Sequence, residues 1–328
     1  MKESDIRNRD AHNRYLTLAL ADAQRLALDR AALSAVDCPA CAGGRHTDAF
    51  VKGGFAYVEC TECETLFLNP RPSYASLLQL YEASPSTKYW VDEFFGPMAE
   101  ARREKIFRPR AAYVASNFPQ LRTSRVGDIG AGFGLFLEEL RVRWSDATML
   151  AIEPSVDMAT ILREKGFEVL EQMLEEVEPA DGGFGLLTAF ELLEHLHDPA
   201  AFLRRAYELL APGGYLYLTT LNGLGLDIQL LWEQSKSVSP PHHLNFVNPG
   251  SMARSLQRVG FEIVEISTPG DLDWSIVEDG WRAGESDPGR FFRTVAKHGT
   301  VEAKDALQDW VRCYGMSSHL RAVARRPT

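Results

Sequence analysis

The chain has 328 residues, of which 45% are hydrophobic and 24% charged, and this composition excludes a largely disordered protein. The net charge is −10, so a general electrostatic grip on nucleic acid is not expected. No apolar run approaches the roughly 20 residues of a membrane span, and the first residues lack the apolar stretch of a secretory signal. These features predict a cytoplasmic enzyme without a membrane partner.

Changes in composition divide the chain into four segments. Residues 1–36 are rich in Ala, Leu and Arg at helical spacing and predict a helical segment that packs on a neighbour. Residues 37–72 are rich in Cys, Gly and Pro, and residues 73–121 again have helical spacing, as a linker or cap. From residue 122 to 328 short apolar runs alternate with amphipathic helices, interrupted by an acidic and aromatic insertion at 270–317 that predicts further helices.

The last segment predicts seven strands and four helices between them. The strands are expected at 125–131, 147–153, 167–170, 184–190, 215–221, 261–267 and 319–326. The helices are expected at 135–144, 155–166, 199–214 and 251–260. Strands that alternate with helices form a parallel, doubly wound α/β sheet that is covered on both faces.

Four of the five cysteines form two close pairs, C-x2-C-x18-C-x2-C, at Cys38, Cys41, Cys60 and Cys63. This spacing is typical of a zinc ribbon with four thiolate ligands, and four protein ligands leave no open position, so the zinc would be structural. The segment is too small for a core of its own, so metal binding would supply its main folding energy. A redox dithiol, which needs only one pair, and four incidental cysteines are the alternatives.

A glycine-rich loop follows the first of the seven strands and leads directly into a helix. Its residues are Asp128, Gly130, Gly132, Phe133 and Gly134. Glycines let the backbone turn sharply and approach a ligand closely beside the N–H groups of the helix. Leu135 stands where a dinucleotide fingerprint has its third glycine, which disfavours an oxidoreductase. Glu153 ends the second strand, roughly 20 residues further on, where a carboxylate can accept both hydroxyls of a ribose.

With the later runs FELLEHLHDP, LLAPGG and PPHHLNF, residues 125–268 resemble the class I S-adenosylmethionine-dependent methyltransferases. The resemblance implies a Rossmann-like fold with S-adenosylmethionine as cofactor. By that resemblance Asp128 and the three glycines surround the methionine part, Glu153 holds the ribose and Pro154 flanks the adenine. The other cofactor-binding candidates are Phe133 in the loop, Gln172 and Met173 near the adenine edge, and Ala189 and Phe190 at the end of the fourth strand.

Glu191, Glu194 and His195 are spaced to share one face of a helix. A similar ExxEH motif binds a divalent ion in some ubiquinone-pathway O-methyltransferases and in a small-RNA methyltransferase. In the alternative interpretation these side chains hydrogen-bond to the backbone and shape the substrate mouth. That alternative is favoured, because histidine is an unusual ligand for a hard cation.

His243 is the candidate catalytic base. It lies in a segment at 230–246, the lid, which follows the fifth strand. A neutral imidazole can accept a proton as a methyl group is transferred. The segment is similar to the deoxysugar C-methyltransferases, which also carry a four-cysteine zinc module. In their motif Tyr-His-Glu-His-Leu the second histidine matches His243. Here Pro240, Pro241 and His242 replace the first three residues of that motif. The alternative is a loop histidine that caps backbone groups.

The predicted reaction is methyl transfer from S-adenosylmethionine to a small polar acceptor, with a sugar hydroxyl or sugar carbon as the first choice. One alternative is an O-methyltransferase of a phenolic or quinone substrate. A second is methylation of RNA or protein guided by the zinc ribbon. The ribbon segment has more acidic than basic side chains, so no nucleic-acid partner is expected. The oligomeric state is left open.

Overall fold

The computed structural model describes residues 5, 6, 8–179 and 181–328. Residues 1–4 and 7 of the predicted N-terminal segment therefore lie outside the described residues. Within the described ranges, no helix has the length and apolar character needed to cross a membrane.

Thirteen strands and thirteen α-helices are found in these ranges. The strands are β1 (Leu33–Ser34), β2 (His46–Lys52), β3 (Phe55–Cys60), β4 (Leu66–Leu68), β5 (Arg71–Pro72), β6 (Arg125–Ile129), β7 (Thr148–Ile152), β8 (Glu168–Leu170), β9 (Phe184–Phe190), β10 (Leu210–Leu221), β11 (Asn245–Phe246), β12 (Glu262–Ser267) and β13 (His319–Arg325). The helices are α1 (Arg9–Ala27), α2 (Tyr74–Ala83), α3 (Pro85–Tyr89), α4 (Gly96–Arg102), α5 (Arg108–Asn117), α6 (Leu135–Arg141), α7 (Val156–Glu164), α8 (Pro199–Leu209), α9 (Leu226–Leu231), α10 (Pro249–Val259), α11 (Asp273–Arg282), α12 (Gly289–His298) and α13 (Val301–Cys313). The linker also contains two π-helical stretches, Trp90–Phe95 and Arg103–Phe107.

The central sheet has seven strands in the order β12-β13-β10-β9-β6-β7-β8, and all seven lie where the sequence predicts them. Its middle strands are buried almost throughout, as expected for a sheet covered by helices on both faces. The prediction of a parallel sheet is wrong for β13, which is antiparallel to both β10 and β12. The insertion between β12 and β13 begins and ends at the same edge of the sheet, so β13 must run back across it.

The predicted helix at 199–214 is too long. α8 begins with Asp198 as its N-cap, whose side chain accepts from the Ala201 N–H, and it ends at Leu209. The following Ala-Pro-Gly-Gly stretch already belongs to β10, as an irregularity between Leu210 and Tyr215. Pro212 has no N–H to continue a helix, and Gly213 has a φ of 78°, so these residues turn the chain into the strand.

The predicted zinc ribbon forms a second sheet, in the order β11-β4-β3-β2. The edge strand β11 comes from the other end of the sequence, and its pairing with β4 is antiparallel. The Leu68 N–H donates to the Leu244 carbonyl at 2.9 Å, and Asn222, just after β10, forms a bridge with Val247. The chain around β11 is therefore held between the ribbon and the central sheet.

The ribbon does not fold around its cysteines alone. Its strands share one hydrophobic cluster with α1, α2, β10 and the lid, and the buried members of this cluster are Ala23, Phe55, Tyr57, Leu66, Leu68, Leu77, Leu80, Leu221, Ile228, Val238, Leu244 and Phe246. The ribbon therefore also gains stability from the side chains that it buries against the rest of the protein, a contribution that the spacing of its cysteines does not predict.

Arg71 joins the ribbon to the methyltransferase-like segment. It is 1% exposed, and its guanidinium donates to the carbonyls of Leu68 and His197 and to the side-chain oxygen of Asn245. Burial lowers the pKa of Arg71 to about 10, so it remains charged at neutral pH. A buried charge is tolerated only when it is hydrogen-bonded, and these acceptors provide that.

We predict that Arg71→Met destabilises the protein by roughly 3 kcal/mol, since three buried acceptors lose a charged donor. Arg258→Met is the matched control, because that arginine is exposed and donates to the Ala40 carbonyl alone. The measurement is the free energy of unfolding by chemical denaturation. Equal stability of the two variants would contradict the role of Arg71 in joining the ribbon to the rest of the protein.

Candidate active site

The glycine loop lies at the carboxyl edge of the central sheet, where ligands bind in open α/β sheets. Gly130, Gly132 and Gly134 all have positive φ values, of 67°, 51° and 71°. A side chain is strained in this conformation, and a Cβ at Gly134 would also come within 2.7 Å of Leu162. The loop therefore requires glycine for its path, and Gly134 is the N-cap of α6.

Glu153 is fastened to the glycine loop. One carboxylate oxygen accepts from the Gly132 N–H at 2.8 Å, and the other accepts from the Ser155 N–H at 3.0 Å. Burial raises the pKa of Glu153, although these two hydrogen bonds oppose the shift. A carboxylate oxygen has two lone pairs, so each oxygen can also accept from one hydroxyl of a ribose. Pro154, the adenine candidate, is exposed beside it.

Asp128 lies at the end of β6, 3% exposed, and Thr188 donates a hydrogen bond to it at 2.6 Å. Burial raises the pKa of Asp128 to about 7, and the nearby charge of Glu153 adds to this effect. Asp128 is two residues before Gly130 and Glu153 is hydrogen-bonded to Gly132, so the two carboxyl groups flank the glycine loop.

Phe190 ends β9, and its side chain packs among other rings. Its ring lies 4.7 Å from that of Phe136 and 5.3 Å from that of Tyr217, and the Arg110 guanidinium lies over it at 4.8 Å from the ring centre. Ala189 points to the opposite face because side chains alternate along a strand.

The remaining cofactor candidates lie on loops at the same edge. Gln172 and Met173 follow β8 and are half-buried, and the Met173 N–H donates to Glu176. The Phe133 ring stacks at 5.1 Å on Phe95 of the linker, which therefore covers the glycine loop. This contact could not be predicted from the sequence, since an aromatic residue in a linker has no distinctive spacing.

Glu191, Glu194 and His195 do not share a helix face. Glu191 has a φ of 52°, and the only helical turn nearby is a 3-10 turn at Leu193–His195. Glu191 is paired with Arg110 at 2.6 Å and accepts from Thr219. Burial alone would raise the pKa of Glu191, but His319 and Arg110 hold it down to about 2. The helix expected for this motif is therefore wrong, and the three side chains diverge.

Glu194 is 2% exposed and accepts a hydrogen bond from Thr220 at 2.7 Å. Burial, with the neighbouring charge of Glu191, raises the pKa of Glu194 to about 8. This carboxyl group is therefore largely protonated at neutral pH, and its environment is that of a structural hydrogen bond.

Two histidine rings, His195 and His243, face each other edge to face at 4.8 Å between ring centres. Nδ1 of His195 lies 2.9 Å from the carbonyl of His242, and Nδ1 of His243 lies 2.6 Å from the carbonyl of Ser237. A carbonyl only accepts, so the Nδ1 of each ring carries a proton. Burial lowers the pKa of His195 to about 4, so this ring is neutral at physiological pH.

His242 differs from its neighbour. It is 3% exposed, its Nε2 lies 3.1 Å from the hydroxyl of Ser86, and its ring packs near Tyr15 and Tyr81. Burial lowers the pKa of His242 to about 4. It therefore fastens the lid to α1 and to the linker, whereas the less buried His243 lies beside His195.

The four predicted zinc ligands form one cluster, with all four sulfur atoms within 4.8 Å of one another. The residue after each pair, Ala42 or Glu64, has positive φ. A backbone N–H also donates to sulfur in each turn, from Gly43 to Cys41 and from Glu62 to Cys60, both at 3.4 Å. Across the part of the chain that the structure describes, no other set of three or more His, Cys, Asp or Glu ligand atoms is as close.

Comparison with known proteins agrees with this geometry. A sequence profile of the family described as "Methyltransferase domain" matches residues 98–266. The chain belongs to this family. It is an S-adenosylmethionine-dependent methyltransferase of class I, and the seven-stranded sheet is the Rossmann-like fold of that class. The predicted enzyme class and fold are therefore confirmed.

Relatives agree with the family. Proteins named ubiquinone biosynthesis O-methyltransferase from Xanthomonas euvesicatoria pv. vesicatoria and Xanthomonas oryzae pv. oryzae are 29% and 28% identical to the chain, over 48% of it and 70% of their own length. Among solved structures, the plantazolicin methyltransferase BpumL in complex with SAH is 13% identical with a TM-score of 0.50, covering 77% of this chain and 94% of that one. At this identity the likeness shows the fold.

We predict that Glu194→Gln changes how stability of this methyltransferase depends on pH. The pKa of Glu194 is about 8 in the folded state and near the ordinary value in the unfolded state. At a pH between these two pKa values, the folded state therefore binds more protons than the unfolded state. The free energy of unfolding therefore falls as pH rises through this window, and glutamine, which resembles the protonated acid, removes that loss. The measurement is the melting temperature from pH 5 to pH 9.

The variant should gain most over the parent protein at the alkaline end of that range. The exposed Glu178→Gln is the control and should follow the parent curve. A Glu194→Gln curve parallel to that of the parent would contradict the raised pKa.

Proposed function

We propose that this methyltransferase transfers the methyl group of S-adenosylmethionine to a hydroxyl oxygen of a small acceptor, with His243 as the general base. The observation that carries the proposal is the 2.6 Å hydrogen bond from His243 Nδ1 to the Ser237 carbonyl. It selects the tautomer whose Nε2 can accept a proton. A base is needed only where the acceptor loses a proton, as a hydroxyl does.

The glycine loop, Asp128 and Glu153 are proposed to hold the cofactor. Glu153 would accept from both ribose hydroxyls, and Asp128 would face the cationic methionine part. Gly130, Gly132 and Gly134 leave room for close approach. Pro154, Gln172 and Met173 are proposed at the adenine, with Phe133, Ala189 and the backbone of Phe190 along the remaining wall.

The reaction is a displacement at the methyl carbon. The acceptor oxygen forms a bond to the methyl group as the bond from that carbon to sulfur breaks, which releases S-adenosylhomocysteine. The proton of the hydroxyl passes to Nε2 of His243 and then to solvent. Placing oxygen, carbon and sulfur in line supplies much of the acceleration, and proton transfer to a positioned base typically adds 10²–10⁴-fold.

A phenolic hydroxyl is the acceptor that these observations favour. The relatives at 28–29% identity are named as O-methyltransferases of ubiquinone biosynthesis.

A sugar acceptor is the second candidate. Its support is the four-cysteine cluster together with a lid histidine at the position of the final His in the deoxysugar methyltransferases. The replacement of the preceding residues of that motif by Pro240, Pro241 and His242 argues against the same carbon chemistry. Methylation of a sugar hydroxyl would need the same base.

The cysteine cluster is proposed to bind one structural zinc ion. Two cysteine-bearing turns bring four sulfur atoms together, and one backbone N–H in each turn donates to sulfur, which stabilises thiolate ligands. Zinc in this site would hold the ends of the ribbon strands.

We expect S-adenosylmethionine and S-adenosylhomocysteine to raise the melting temperature, and NAD to leave it unchanged, because only a ligand of the folded state stabilises it. Glu153→Gln should weaken binding roughly 10- to 100-fold, as the ribose loses a charged acceptor. Isothermal titration gives the affinities, and Asp157→Asn, an exposed carboxylate at the start of α7, is the control. Stabilisation by NAD in place of S-adenosylmethionine would overturn the cofactor assignment.

We expect a mass-shift screen to find methylated phenols before methylated nucleotide sugars.

We expect His243→Ala to lower kcat about 10²-fold or more, with the cofactor affinity nearly unchanged. Turnover should also fall at acidic pH, where a protonated imidazole cannot accept a proton. His298→Ala, an exposed histidine of α12, is the control. Loss of turnover in His195→Ala but not in His243→Ala would move the base to His195.

We expect purified protein to contain close to one zinc per chain, measured by elemental mass spectrometry. Cys60→Ser should lose the metal, and Cys313→Ser, an exposed cysteine outside the cluster, should keep it. Disulfide bonds among the four cysteines without metal would contradict the zinc site.

A further inference from the structure

Two buried carboxylates lie behind the lid, outside the proposed cofactor site. Asp227 at the start of α9 and Asp273 at the start of α11 are each 1% exposed. Within the described part of the chain, the contacts recorded for both are with neutral hydroxyl, amide and main-chain N–H groups. Burying a carboxylate without a cation is costly, so this arrangement calls for a reason beyond packing.

The hydroxyl of Ser318, just before β13, links the two acids. It lies 2.8 Å from a carboxylate oxygen of Asp227 and 2.5 Å from one of Asp273. Gln308 of α13 and Ser317 donate to the other oxygen of Asp273. The helical insertion therefore holds Asp273, and Asp273 with Ser318 holds Asp227.

The second carboxylate oxygen of Asp227 faces the lid. It accepts from the hydroxyls of Ser235 at 2.7 Å and of Ser237 at 2.5 Å. The hydrogen bond to Asp227 holds Ser237 by its side chain. The main-chain carbonyl of the same residue accepts the hydrogen bond from His243 Nδ1. Polar contacts of 2.5–2.8 Å thus connect the insertion to the imidazole ring, and the single proton of the Ser318 hydroxyl is donated to one of the two acids at a time.

We propose that Asp227 is a positioning residue for His243, and that the insertion serves the reaction by holding Asp227 through Asp273. Asp227 fixes the Ser237 carbonyl, and that carbonyl fixes both the ring orientation and the Nδ1–H tautomer. The expected change in kcat rests on the proposed role of His243 as base, whereas the expected change in the tautomer of the His243 ring does not. It also gives the segment at 270–317 a function that its aromatic composition does not indicate.

The test is nitrogen-15 NMR of the histidine rings in the full chain, with the His243 signals assigned by their loss in His243→Ala. In the parent protein His243 should be protonated at Nδ1. Ser237→Ala removes the hydroxyl and keeps the carbonyl, and it should produce a mixture of tautomers and lower kcat roughly tenfold, with the acceptor KM little changed. Asp227→Asn should do the same more strongly.

Thr268→Val is the matched control, because it removes a buried hydrogen bond of the same region, to the Arg312 carbonyl at 3.0 Å, without touching Asp227. It should leave the tautomer and kcat unchanged. A single Nδ1–H tautomer retained in both Ser237→Ala and Asp227→Asn would overturn the proposal. If His243→Ala kept full turnover, the role of His243 as base would fail, whereas the tautomer measurement would still decide the role of Asp227.

Discussion

The pairing of β11 with β4 is the interaction on which the candidate active site depends. Asn245 and Phe246 pair with Phe67 and Leu66 of the ribbon, directly after the two lid histidines. The hydroxyl of Tyr57 on β3 also donates to the His243 carbonyl at 2.8 Å. The ribbon therefore holds the backbone of His243, and the position of the lid depends on the ribbon.

The position of His243 is thus set from two sides. The ribbon fixes its backbone, and the buried acids behind the lid fix the residue that accepts from its ring. The N-terminal helix and the linker close the same region, with Tyr15 and Tyr81 packed against His242. The lid is therefore contacted by the N-terminal helix, the ribbon, the linker and the later segments that carry the buried acids, which is how a catalytic group can be held within the narrow tolerance that catalysis requires.

The features that could be predicted from the sequence are those that a local pattern of residues determines. The seven strands, the glycine loop and the cysteine pairs were predictable because each is a run or spacing of neighbouring residues. The β4–β11 pair was not, since strands of three and two residues have no period and pairing between distant parts of the chain depends on packing. Glu191 shows the same limit: its spacing to Glu194 and His195 fits a helix, but its positive φ ends any helix there.

Hydrogen–deuterium exchange with and without a zinc chelator tests the central claim most directly, namely that the ribbon holds the lid. The account predicts that residues 240–247 lose protection together with residues 55–68 when the metal is removed, while β6 and β7 in the central sheet keep theirs. Residues 240–247 that remained fully protected while the ribbon exchanged freely would contradict it.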